Sequence, residues 1–178
     1  MKIVIVDTTL HGPLIGGAQT FLPLLIKGLK EKGHDIHLVT KGNPDKRIEK
    51  EIVESGAILH TGIWEKHALV EDATPVFTKW INNLHPDIYL ISVSADIAWT
   101  VLPYLNSEIA TLSIGHTDAE TFYAPVRHYH SFLTKAVAVS EQVSEQYVSV
   151  CGLLPQNIDW IPYGVKNRAE RYTYCIPL

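Results

Sequence analysis

Few places in this 178-residue chain combine residue types that could do chemistry. One is the glycine pair Gly16-Gly17, which closes a loop beginning at Asp7 and leads into an amphipathic stretch. Paired glycines there permit positive φ and close approach of the backbone. The free N–H groups of the helix start that follows, with its dipole, suit a phosphate. A plain flexible turn from strand to helix would use the same residues. The other place is His116, which follows Thr111-Leu112-Ser113-Ile114 and sits between Gly115 and Thr117-Asp118. A histidine on a loop at a strand's carboxyl end can donate to, or orient, a substrate hydroxyl. Many isolated loop histidines do neither.

Other suggestive residues fail on spacing. No G-x-G-x-x-G follows the first apolar run and no G-x-x-x-x-G-K-[ST] occurs, so neither a dinucleotide fingerprint nor a Walker A loop is present. His128 and His130 flank Tyr129, but helical residues two apart point about 200° apart and cannot share one ion. No metal site is expected. Ser140 lacks the G-x-S-x-G setting of an esterase nucleophile and precedes Glu141-Gln142, so it reads as a helix N-cap. Cys151 and Cys175 fit no metal or redox spacing and read as reduced cytosolic thiols. Trp64, Trp80, Trp99 and Trp160 stand singly, as core or edge packing would have them.

Positioning these residues falls to a regular alternation of strand and helix. Residues 2–6 are a short β-branched run, read as a strand buried on both faces. Phe21, Leu24, Leu25 and Leu29 then form an apolar helical stripe that ends at Lys32-Gly33 with a basic last turn and a glycine stop. Pro23 falls inside it, so this helix either starts late, near Thr20, or bends. Strands follow at 35–40, 57–61, 88–92, 109–114, 136–139 and 159–161. Helices are expected at 45–55 (Ile48, Ile52 and Val53 inward), 71–84 (Val76, Phe77, Trp80, Ile81 and Leu84 on one side), 96–105, 119–132 and 140–151. This alternation selects an α/β, doubly wound, mostly parallel Rossmann-like sheet of about seven strands with helices on both faces. Ligands in such sheets bind beyond the carboxyl ends of the strands, where strand order reverses. The loops after Val6, Ser92, Ile114 and Val139 are therefore the ones to search.

Composition agrees with one domain: 46% of residues are apolar and 19% charged, enough for a sizeable core. A net charge of −4 gives no electrostatic reason to expect nucleic acid as a partner. The opening run Ile3-Val4-Ile5-Val6 stops at Asp7, too short for a signal core or a membrane span. A cytoplasmic location is expected, with peripheral contact at the inner face of the membrane left open.

Several segments together resemble the family 4 retaining glycosyltransferases. Gly16-Gly17-Ala18-Gln19 is similar to their GG-x-[EQ] element. The run from Lys32 through Gly33-His34-Asp35-Ile36-His37-Leu38-Val39-Thr40 resembles their GH-x-V-x-V-x-T. Leu112-Ser113-Ile114-Gly115-His116-Thr117 is similar to their strand end carrying H-T/D. Ala136-Val137-Ala138-Val139-Ser140-Glu141 resembles their v-i-a-v-S-e, and Ile158-Asp159-Trp160-Ile161-Pro162-Tyr163-Gly164-Val165 their k-i-x-v-I-P-N-G-V-D. Five such pieces occur in the family's order across nearly the whole chain.

The resemblance implies one half of a GT-B fold, in which two Rossmann-like domains face across a cleft. Residues 1–165 would be the N-terminal, acceptor-side domain and 166–178 a tail, with the C-terminal donor-binding domain absent. Gly16 and Gly17 would bring N–H groups near the donor diphosphate, and His116 would sit by the transferred sugar. Gln19, Thr117 and Asp118 would line the acceptor side. His11 and Ser94 join them because they lie on carboxyl-edge loops. No cofactor or metal is expected. The substrates would be a nucleotide-sugar and a sugar, lipid or other hydroxyl acceptor, and a donor-binding domain or partner chain would complete the site. Alone, the chain is expected to have little or no transferase activity. Two departures stand out: Tyr163 and Lys166 replace polar positions of the family motif. They favour an alternative, a non-catalytic binding module that keeps the fold. A third reading is an unrelated flavodoxin-like or sugar-nucleotide enzyme.

Overall fold

The computed structural model describes residues 1–10, 17–65, 67–93 and 97–164. Seven strands, β1 (Lys2–Val6), β2 (Asp35–Val39), β3 (Ile58–His60), β4 (Ile88–Ile91), β5 (Ala110–Gly115), β6 (Lys135–Ala138) and β7 (Ile158–Trp160), form one sheet. Their order is β3-β2-β1-β4-β5-β6-β7, and every described pairing is parallel. The helices are α1 (Gly17–Glu31), α2 (Lys46–Ser55), α3 (Val70–Leu84), α4 (Ile97–Thr100), α5 (Glu120–Tyr129) and α6 (Glu141–Ser149). The expected doubly wound architecture is what forms.

Right-handed crossovers decide which face each helix covers. From β1 the chain steps outward to β2 and β3, so α1 and α2 pack on one face. It then returns past β1 to β4 and steps the other way, which puts α3 to α6 on the opposite face. Alternation within each strand feeds two separate cores. Ile3, Ile5, Ile36 and Leu38 meet Leu22 and Ile26 of α1 and Ile48 and Ile52 of α2. Val4, Val6, Tyr89 and Ile91 meet Phe77 and Ile81 of α3 and Val143 and Tyr147 of α6. Each such fully buried side chain contributes about 1.5–3 kcal/mol.

Local signals end the elements. Asp45 accepts from the Arg47 N–H at 2.9 Å and caps α2, and Gly56 closes that helix at φ 97°. Ser140 accepts from the Val143 N–H at 3.2 Å and caps α6, as its place before Glu141 indicates. His85 turns the end of α3 left-handed at φ 48°, and Pro86 after it forbids continuation. Among the described residues no helix is long and apolar enough to cross a membrane.

Several expectations are corrected. The inward stripe of α1 is Leu22 and Ile26, with Phe21, Leu25 and Leu29 partly buried, and Leu24 is exposed. Val53 and Val76 also face solvent. Apolar residues crowd more than one side of these helices, and the sheet selects the stripe. Helix α1 starts at Gly17 rather than near Thr20, which leaves Pro23 in the second turn. The helix expected at 96–105 is only α4 and a 3-10 turn at Leu102–Tyr104, because Pro103 cannot donate the next helical bond. Likewise α5 gives way to a 3-10 turn at His130–Phe132.

Gly115, the last residue of β5, is required by packing rather than by φ. A β-carbon there would lie 2.8 Å from Val143 Cγ1 and still closer to the Tyr147 hydroxyl, both on α6. Gly115→Ala is expected to lower the unfolding free energy by about 1–3 kcal/mol, the usual cost of overpacking, read from the denaturant midpoint.

Candidate functional site

The carboxyl ends of β1 and β4 lie side by side at the point where strand order reverses. Beyond β1 the backbone splits its bonds: Asp7 N–H donates to Val39 O at 3.0 Å, and Thr8 N–H to Val93 O at 2.8 Å. Asp7 is thereby drawn wholly out of solvent. Its Oδ1 accepts from the Thr9 N–H at 3.0 Å and the Thr9 hydroxyl at 2.7 Å. Its Oδ2 accepts from the hydroxyl of buried Ser92, the residue after β4, at 3.3 Å. Burial pushes the Asp7 carboxyl above its ordinary range, and these hydrogen bonds oppose that rise.

His116 leaves the neighbouring strand, β5, at the same edge. Its Nε2 lies 3.2 Å from Ser92 Oγ, and its Nδ1 is hydrogen-bonded to the Tyr163 hydroxyl. Aromatic rings surround the imidazole. The Phe21 centroid is 6.1 Å away, that of Phe122 is 6.3 Å away, and Tyr163 stacks at 5.9 Å. Phe21 also touches Tyr163, at 4.8 Å. Desolvation lowers the imidazole pKa from 6.5 to about 4, so the ring is neutral at pH 7. A neutral ring has one donor and one acceptor, and here each already has a polar partner.

Not all expected residues join this cluster. Gly17 opens α1, and Phe21, one turn later, carries that helix to His116. Gln19 lies in the first turn of the same helix. Thr117 and Asp118 follow His116 at the surface. Asp118 is already committed, accepting from the Tyr123 hydroxyl at 2.8 Å and from Gln142 Nε2, and so ties α5 to α6. His11, Gly16, Ser94 and Lys166 lie outside the described residues. Asp7, Ser92, Phe21 and Phe122 join the site without any motif in the sequence that marks them for it. Tyr163, in sequence a departure from the family motif, joins them through His116 Nδ1. The available signal was a polar residue directly after each of two buried central strands.

A cavity of about 380 Å³ opens beside Ser92, lined by Thr8, Lys41, Trp99, Thr121 and Phe122 among others. Its mix of hydroxyls, one lysine and aromatic walls suits a polyhydroxylated ligand. A larger cavity of about 870 Å³ lies between α3, α5 and the Leu102–Tyr104 turn, and none of the candidate residues lines it. Among the described residues no group of three or more His, Cys, Asp or Glu gathers as a metal site.

Burial of a neutral His116 makes stability pH-dependent. Its folded pKa lies below the unfolded value, so the unfolded chain binds the proton more readily and stability is lost as pH falls from 6.5 towards 4. At about 1.4 kcal/mol per unit, the loss in that window is at most about 3 kcal/mol. Subtracting the unfolding profile of His116→Gln isolates this contribution from other titrating groups. A difference profile that is flat between pH 6.5 and 4 refutes it.

The fold has clear relatives. A glycosyltransferase from Rickettsia africae ESF-5 superposes with a TM-score of 0.70 at 17% identity, over 97% of this chain and 46% of that one. The lipopolysaccharide outer core galactosyltransferase WaaB, in its apo form, gives 0.64 at 16% identity, over 89% and 44%. The Anabaena protein Alr3699/HepE, in complex with UDP and glucose, gives 0.65 at 14% identity, over 93% and 45%. The chain thus spans less than half the length of each. No curated protein sequence matches it. The family model for Glycosyltransferase Family 4 matches residues 15–167. The chain belongs to Glycosyltransferase Family 4 and carries the Rossmann-like N-terminal domain of its GT-B architecture.

Proposed function

We propose that this domain is the acceptor-side wall of a transferase that moves a sugar from a nucleotide-sugar to a hydroxyl acceptor. The observation that carries the reading is the placement of a neutral, desolvated His116 at the strand-order reversal, in contact with the helix that Gly17 opens. A neutral imidazole can hold a sugar hydroxyl by hydrogen bonding without attracting water as an ion would. The backbone N–H groups of Gly16 and Gly17 would meet the donor diphosphate, in the manner of helix N-termini that bind phosphate. The cavity beside Ser92 would take the acceptor, and Gln19, Thr117, His11 and Ser94 are carried over from the sequence as proposed acceptor-binding residues. Asp118 would act through its ties to Tyr123 and Gln142 more than by direct contact. No metal or other cofactor is needed. Charge on the leaving diphosphate would be met by fixed dipoles and basic side chains.

Catalysis of group transfer depends on holding both reactants together. A second domain would supply the donor nucleotide site, and this chain alone would turn over little or nothing. A cytoplasmic setting, in passing contact with a membrane when the acceptor is a lipid, fits such a protein.

One observation favours the second reading, a binding module without catalysis: the Tyr163 hydroxyl already occupies His116 Nδ1. Joining this chain to a family donor domain and following nucleotide-sugar turnover separates the two. Transferase function predicts measurable turnover that His116→Ala lowers about a hundredfold, the usual size for a positioned acid–base group. No turnover with any family donor domain leaves the binding module, and turnover untouched by the substitution removes His116 from the reaction.

A further inference from the structure

The buried polar atoms around His116 form one continuous chain, and its first link sets the direction of the rest. Asp7 accepts at every described contact: from the Thr9 N–H and hydroxyl on Oδ1, and from Ser92 on Oδ2. An ionised carboxylate has nothing to donate. The single Ser92 proton is therefore committed to Asp7, and Ser92 Oγ can meet His116 Nε2, 3.2 Å away, only as an acceptor. That requires a proton on Nε2. A neutral ring carries only one, so Nδ1 keeps its lone pair, and the Tyr163 hydroxyl donates to it.

We infer that Asp7, Ser92 and Tyr163 are positioning residues that fix His116 as the Nε2–H tautomer, with Nδ1 presented as a hydrogen-bond acceptor. All four members agree in direction, from the Tyr163 proton through the imidazole and Ser92 to Asp7. The contact also gives a role to the tyrosine that departs from the family motif. Held by its rings against Phe21 and His116, it keeps Nδ1 engaged by a hydroxyl. One consequence rests on the transferase reading: a substrate hydroxyl replaces that of Tyr163 and donates to Nδ1, so His116 accepts from the substrate rather than donating to it.

The tautomer is read directly by nitrogen-15 NMR of the imidazole in the intact chain at pH 7, with no donor or acceptor present. Its outcome is therefore independent of turnover. The expected spectrum has a protonated Nε2 and an unprotonated Nδ1. Asp7→Asn offers Ser92 an amide donor in place of an acceptor, which reverses the chain and moves the proton to Nδ1. Ser92→Ala, a milder change should the asparagine variant fail to fold, raises the Nδ1–H population. Tyr163→Phe leaves Nε2 protonated and shifts only the Nδ1 resonance. A ring protonated on Nδ1 in the unaltered protein overturns the inference. So does a wild-type ring spectrum in a folded Asp7→Asn or Ser92→Ala variant. An unmoved Nδ1 resonance in Tyr163→Phe removes the tyrosine from the chain.

Discussion

A sheet whose strands all run one way, crossed only right-handedly, must send its helices to opposite faces on the two sides of β1. The loops leaving β1 and β4 therefore part company, and a crevice opens between them at the carboxyl edge. In this protein the backbone bonds run on past β1 towards both neighbours, so the β1 and β4 loops are still joined where they begin. Asp7 pairs towards β2 through Val39, while Thr8 pairs towards the end of β4 through Val93. A polar residue at that fork is trapped beneath the crevice, and Asp7 occupies the position.

A buried carboxyl group is costly unless its lone pairs are met. Here donors come from Thr9, on its own loop, and from Ser92, at the end of the adjacent strand. Satisfying Asp7 thus orders Ser92, and Ser92 in turn orders His116 on the strand beyond. The same requirement that keeps the switch point folded aligns the imidazole. Aromatic packing from α1 and α5 completes the enclosure and keeps the ring neutral. Structure and candidate chemistry here share one set of hydrogen bonds.

That economy bears on the two functional readings. Because these bonds also satisfy the buried Asp7, a domain without catalysis would need the chain of donors and acceptors as much as a transferase would. Tyr163 occupies His116 Nδ1, where the transferase reading would put a substrate hydroxyl, and a domain used only for recognition could keep it there permanently.

The sequence by itself determined the layer order of this protein. Short β-branched runs alternating with amphipathic stretches leave a parallel sheet as the arrangement that buries both, and seven such strands form. It also marked the Ser140 cap and the strand end carrying His116, because each signal lies within a few residues of its effect. Only the tertiary structure decided which flank of α1 faces inward. Leu24 and Leu22 are equally apolar, and packing against Ile5 and Leu38 chooses Leu22 and Ile26. The site divided along the same line. His116 and Gly17 were legible from their neighbours in the chain. Asp7 lies 85 residues from Ser92, Ser92 lies 24 from His116, and Tyr163 lies 47 from His116. A hydrogen bond leaves no periodic trace in sequence, so only the folded sheet could bring these groups together.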